Sequence, residues 1–141
     1  MTNEIKEFQG EYRWLSNFWI CTLEWDNKLW HSAENAYQAA KCARPYDMHQ
    51  FINVTPGQAK RLGKTVFRRL DWEEVKLEIM CQIVKSKFEQ NPDLRKRLLD
   101  TGNARLIEGN RWHDTFWGVC NGEGENNLGK ILMSVRELLR K

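Results

Sequence analysis

The sequence predicts a mainly α fold, an α-rich α+β single domain over residues 1–141 with a small N-terminal β-hairpin. Three observations carry that expectation. Apolar residues recur every three to four positions in the segments 72–88 and 128–139, the period of a helix with one buried face. Extended-looking runs are few and short. The chain has no internal repeats or linker-like tracts, and its 141 residues are enough for one domain to build a core without metal or disulfide staples.

Cys21-Thr22-Leu23-Glu24-Trp25 and Lys28-Leu29-Trp30 flank Asp26-Asn27, a two-residue turn suited to a type I′ hairpin. Ser32 caps a helix predicted from Ala33 to about Ala43, rich in Ala and Gln and ended by Arg44-Pro45. Pro56 opens a helical segment to Leu70, with Ala59, Leu62, Val66 and Phe67 at helical spacing and the basic residues largely on another side. Asp71 and Glu74 form a capping-box-like start to the strongest helix, whose Trp72, Val75, Ile79, Ile83 and Phe88 belong to the core. Asn91-Pro92 resets the chain into a short helix through about Leu99, stopped by Gly102. A strand-like Arg105-Leu106-Ile107-Glu108 then leads into an aromatic, Gly-rich stretch from Gly109 to Gly129. Leu128, Ile131, Leu132, Val135, Leu138 and Leu139 make the closing amphipathic helix.

Twenty-two Lys plus Arg against 19 Asp plus Glu leave a net charge of only +3, which weakens a reading as a plain nucleic-acid binder. The charge is uneven, because residues 48–70 contain no acid yet carry Lys60, Arg61, Lys64, Arg68 and Arg69. Such a run is either a solvated helix face or a phosphate-facing surface. Seven tryptophans add weight to the second, since aromatic faces beside cations suit stacked bases, although most of them are expected in the core. No apolar run approaches the ~20 residues that cross a bilayer, and the charges scattered through residues 4–13 leave no apolar stretch for a signal peptide. The expected location is the cytoplasm, with Cys21, Cys42, Cys81 and Cys120 acting as small buried hydrophobes. No Cys or His spacing predicts a metal site, and no cofactor is expected.

Chemistry concentrates in two segments. In the first helix Glu34, Gln38 and Lys41 lie at i, i+4 and i+7, one polar stripe spanning ~10 Å. The stripe is either ordinary wet surface or, on a helix whose alanines imply close packing, a row aimed at a ligand. The second segment, Gly109 to Gly118, crowds Trp112, His113, Phe116 and Trp117 around Asp114 and does not alternate as a strand. Asp114 reads there as a turn residue or as a functional carboxylate, and the glycines at 122, 124 and 129 allow close backbone approach.

Joined in order, the motifs become specific. They are Gly10-Glu11-Tyr12 with Leu15-Ser16-Asn17-Phe18, Ser32-x-Glu34 with Tyr37-Gln38-Ala39-x-Lys41, Lys60-x-Leu62-Gly63, Asp71-Trp72, Lys87-Phe88-x-Gln90-Asn91, Trp112-x-Asp114-x-x-Trp117-Gly118 and Gly124-x-Asn126-x-Leu128-Gly129. From Phe8 to the last helix the chain resembles the NADAR family, also called YbiA-like. The resemblance implies a mainly helical domain and an N-glycosidase that cleaves ribose or ADP-ribose from an exocyclic amine. It names ADP-ribosylated guanine in nucleic acid as the first substrate, with a DNA ADP-ribosyltransferase toxin as a paired partner. Phosphorylated ribosylamino-pyrimidine intermediates of riboflavin synthesis are the alternative, and a non-catalytic ADP-ribose-binding module is the rival outside enzymology.

The resemblance further implies Glu34 as general acid and base, and Asp114 as stabiliser of a cationic ribosyl centre or sharer of the proton transfers. Lys41 enters as a Schiff-base nucleophile or an electrostatic partner. Asn17, Tyr37, Gln38, Trp112, Trp117, Gly118 and Asn126 are the implied binding residues, rings stacking the base and amides fixing ribose hydroxyls. Two positions depart from the pattern: Asn35 stands where relatives usually carry His, and His113 where many carry Gly.

Overall fold

In the structure, a computed structural model that describes residues 3–141, helices dominate. The strands are β1 (Glu4–Ile5), β2 (Leu23–Trp25), β3 (Lys28–Trp30), β4 (Arg105–Leu106), β5 (Gly109–Asn110) and β6 (Val119–Cys120). The helices are α1 (Ala33–Ala40), α2 (Pro56–Leu62), α3 (Trp72–Gln90), α4 (Pro92–Asp100) and α5 (Asn127–Leu139), with 3₁₀ turns at Gly10–Leu15 and Pro45–Phe51. No helix among the described residues is long and apolar enough to cross a membrane. All four cysteines carry free thiols. Two compact units result, one of Asn17–Asn91 and one that joins Ser16 and the residues before it to Pro92–Lys141.

The unit Asn17–Asn91 begins with the predicted hairpin. Leu23 pairs with Trp30 and Trp25 with Lys28, and Asp26 (φ 55°) and Asn27 (φ 60°) both take the left-handed conformation that a type I′ turn requires. The outer edge of β2 is closed by a side chain. Gln90 accepts from the Glu24 N–H at 2.6 Å and donates to the Glu24 carbonyl at 2.9 Å, so its amide stands in for a neighbouring strand. Trp30 is fully buried and donates its indole N–H to the Trp25 carbonyl at 2.9 Å.

Three boundaries differ from the sequence expectation. Helix α1 stops at Ala40 rather than near Ala43, because the chain leaves it to pair with the segment after α2. There the Ala43 N–H donates to the Phe67 carbonyl and the Arg69 N–H to the Lys41 carbonyl, each at 2.8 Å. For the same reason α2 ends at Leu62 instead of running to Leu70. Phe67, at helical spacing in the sequence, is 67% exposed. Asp71 precedes α3 but makes no side-chain cap; its carboxylate is taken by Arg69 at 2.6 and 3.0 Å.

In the other unit β1 runs parallel to β4 and β5 parallel to β6. Gly102, at φ 64°, ends α4 as expected. Helix α5 buries Leu128, Leu132, Val135 and Leu139. The one cation on its buried face, Arg136, is satisfied by the Thr101 hydroxyl and the Ala104 carbonyl, both at 2.9 Å, as a buried charge must be.

Candidate active site

Every residue of α1 is buried, so its polar stripe is not a wet face. Ser32 caps the helix by accepting from the Asn35 N–H at 3.0 Å. Asn35 then donates from its amide to the Phe51 and Val54 carbonyls, each at 2.8 Å, and accepts from the Ser32 hydroxyl. With all its groups committed, Asn35 clamps the loop that precedes α2 onto the start of α1. That is a structural use of the position.

Glu34 is 8% exposed and lies in the first turn of α1, where the helix N-terminus favours a negative charge. Its N–H donates to the Asn17 carbonyl at 2.9 Å, and its carboxylate accepts from the Gln38 amide at 2.7 Å. The Asn17 side chain is buried and donates to the Met80 sulfur at 3.4 Å. Gln38 is 4% exposed, and its Oε1 is buried without a hydrogen-bond partner. An acceptor of that kind costs about 1–3 kcal/mol unless a partner from outside the chain satisfies it. Opposite it stands Gly63, where an added Cβ would come within 1.9 Å of Gln38 Oε1. Gly63 has an ordinary helical backbone (φ −61°), so the residue is small for packing. Sequence reasoning missed this role because residue 63 falls inside the helical segment expected to run to Leu70, and nothing in the sequence shows that Gln38 packs against it.

Lys41 closes the stripe at the C-cap of α1. Its ammonium lies 5.4 Å from the Tyr37 ring centroid, and Tyr37 in turn packs on Trp72 at 5.2 Å with a 55° tilt. Burial is the main force lowering the Lys41 pKa; Glu34 opposes it, while Arg68, Lys76 and Lys60 push the same way as burial. The first constellation therefore sets a buried carboxylate, an amide with a spare acceptor and an amine whose pKa burial lowers along one helix.

The second constellation lies in the other unit. Asp114 is half-buried and accepts from the Phe116 and Trp117 N–H groups at 3.2 and 2.9 Å. Asn110 braces the same turn by accepting from the Asp114 N–H at 3.1 Å and donating to its carbonyl at 2.9 Å. Between them Trp112 is 51% exposed, and Trp117 meets Phe116 edge-on at 4.8 Å. Gly118 is a packing glycine: a Cβ there would come within 2.1 Å of the Glu108 carbonyl. Asn126 accepts from the Glu108 N–H at 2.9 Å and donates to the Leu106 carbonyl at 3.0 Å, so its amide ties the loop to β4. His113 has φ 63°, a left-handed conformation in which glycine is unstrained.

Matches to known proteins span the segments that carry both constellations. The NADAR domain model matches residues 5–140. The chain is 40% identical to an N-glycosidase of Nostoc punctiforme over 136 residues, covering 92% of this chain and 86% of that protein. It is 37% identical over 131 residues to a riboflavin biosynthesis protein of Vibrio vulnificus, covering 90% of this chain but 35% of the longer relative. The NMR structure of the E. coli protein YbiA superposes with a TM-score of 0.88 at 34% identity, covering 99% of this chain and 87% of that one. With a family model spanning nearly its whole length and a relative this similar, the chain belongs to the NADAR family.

Proposed function

We propose that this NADAR-family N-glycosidase removes ADP-ribose from guanine bases in nucleic acid, with Glu34 as its general acid and base. The observation that carries the reading is the buried Glu34–Gln38 pair, whose remaining amide oxygen has no partner in the protein. That oxygen fits a donor on the substrate, such as a ribose hydroxyl. In its acid form Glu34 protonates the exocyclic amine as the C1–N bond breaks. Its carboxylate then takes a proton from the water that attacks C1, leaving free ribose hydroxyl and free amine. Lys41 neutralises negative charge on the substrate beside the reacting sugar. Asp114, whose oxygen is engaged by backbone N–H groups, holds the turn that carries Trp112 and Trp117.

The nucleic-acid substrate draws support from the surface that follows α1. Residues 48–70 carry no acid, and Lys60 and Arg68 lie close enough to Lys41 to act on its charge. A second reading, hydrolysis of a ribosylamino-pyrimidine, is favoured by the riboflavin-related name of the Vibrio relative. Both are decided by following ADP-ribose release from ADP-ribosylated DNA, which leaves unmodified guanine in the strand, beside cleavage of the pyrimidine substrate, with wild type and Glu34→Gln. Cleavage of the DNA adduct alone, lost in the variant, supports the first; cleavage of the pyrimidine alone supports the second. Borohydride during turnover tests Lys41: an electrostatic role leaves no adduct, whereas a covalent ribosyl adduct at Lys41 assigns it as a Schiff-base nucleophile.

A further inference from the structure

We propose that Arg44, Tyr46 and Phe67, the last preceded by Lys64 and followed by Arg68 in the same acid-free segment, form a stacking platform for single-stranded nucleic acid. The proposal rests on the nucleic-acid reading above and supplies the surface that holds the polymer. Tyr46 and Phe67 are 65% and 67% exposed. Large apolar groups clustered at the surface call for an occupant. The Arg44 guanidinium carbon lies 5.4 Å from the Tyr46 ring centroid and 5.8 Å from that of Phe67, so one cation sits against two rings. Asp47, itself buried, holds that guanidinium at 2.9 Å. Two outward rings and a fixed guanidinium plane are the means by which proteins stack unpaired bases without reading their sequence.

The place and the charge choose the occupant. The platform is built on the backbone pairing of 41–43 with 67–69, so it begins three residues after Lys41 and continues from the α1 site. Arg69 is neutralised by Asp71 at 2.6 Å and Arg68 is shared with Glu73 at 3.8 Å. Arg61 and Lys64 have no ion-pair partner among the described residues, which leaves the segment cationic. A polyanion with exposed bases matches that surface; a duplex offers phosphates but hides the base faces that the rings would cover.

The test uses the full chain and an unmodified, fluorescein-labelled oligothymidylate of about 15 nucleotides, followed by anisotropy between about 50 and 200 mM salt. The wild type is expected to bind the single strand more tightly than a duplex of equal length. Phe67→Ala and Tyr46→Ala, both at exposed positions, are each expected to weaken binding about tenfold with the salt slope unchanged. Lys64→Ala is expected to lower the slope by about 0.7. Turnover separates this inference from the function it rests on. With Phe67→Ala, KM for an ADP-ribosylated oligonucleotide should rise about tenfold while kcat on ADP-ribosyl guanosine stays at the wild-type level. Strand binding that depends on Phe67, with neither adduct cleaved, supports the platform and overturns the proposed substrate. Absence of strand binding at low salt, equal binding by wild type and both ring variants, or a dimer that Phe67→Ala dissociates overturns the platform, the last assigning the patch to a protein contact.

Discussion

Helix α1 and the loop from Asn110 to Gly118 each present a carboxylate among aromatic rings, yet they use it oppositely. In the loop, Asp114 takes two backbone N–H groups, Asn110 braces the same turn, and the polar atoms build the structure they sit in. In α1, Glu34 receives a side-chain amide, and that amide keeps a buried oxygen unused by the protein. The difference teaches how to tell a builder from a reagent. Polar groups that complete a local hydrogen-bond set explain themselves, whereas a buried acceptor left over from such a set calls for a partner from outside the chain, an ordered water or a ligand.

The comparison breaks first, if it is wrong, at the carboxylates. Glu34→Gln is expected to reduce kcat by about 10²–10⁴-fold with an unchanged melting temperature. Asp114→Asn retains an oxygen for the Phe116 and Trp117 N–H groups and is expected to cost less than tenfold in kcat, while Asp114→Ala lowers stability by about 1 kcal/mol. Equal loss of kcat in Glu34→Gln and Asp114→Asn, measured on the same substrate, would erase the distinction.

Burial of charge in the same unit is gauged by Lys87, which is 1% exposed and pushed down by burial from 10.5 to about 8. Between pH 8 and 10.5 the unfolded chain holds this proton and the folded one does not, so stability rises with pH across that window. The rise amounts to at most about 3 kcal/mol. Because Cys42, pushed up by burial to about 11, opposes it above pH 9, the rise is read as the change across the window in the difference between the urea midpoints of wild type and Lys87→Met. Gly63→Ala sharpens the α1 side: the new Cβ displaces Gln38, with an expected loss of about 1–3 kcal/mol in stability and of activity beyond that of a remote mutation. The smallest effect belongs to the loop. His113→Gly relieves a left-handed residue and is expected to shift stability by less than about 1 kcal/mol with kcat intact; a large fall in kcat would make His113 part of the chemistry.

Much of this was legible wherever the cause is local. Asp26-Asn27 dictates its turn, Ser32 its cap and Gly102 its stop, and period alone finds Trp72, Ile79, Ile83 and Phe88 in the α3 core, though Val75 is only half-buried and Met80, Val84 and Lys87 join the buried face. What the sequence hid was set by pairing between distant segments. Val66 and Phe67 sit at helical spacing, but the carbonyl of Phe67 is claimed by Ala43 and the chain leaves the helix. Asp71 has the residue type for a cap, but Arg69 takes its carboxylate. At the site, the spacing of Glu34, Gln38 and Lys41 identified the stripe. Only the structure shows it buried, because what covers it, including Gly63, comes from elsewhere in the chain.

The contact between Gln38 and Gly63 also constrains how this protein can vary. A side chain gains room at 63 only if the one at 38 shortens, so the two positions behave as one heritable unit. Selection for folding alone would let them drift together, for example as Gly63→Ala with Gln38→Ser. Selection for turnover would freeze both. A pairwise library scored separately for abundance and for activity would therefore trace a diagonal ridge in the first map and a single point in the second.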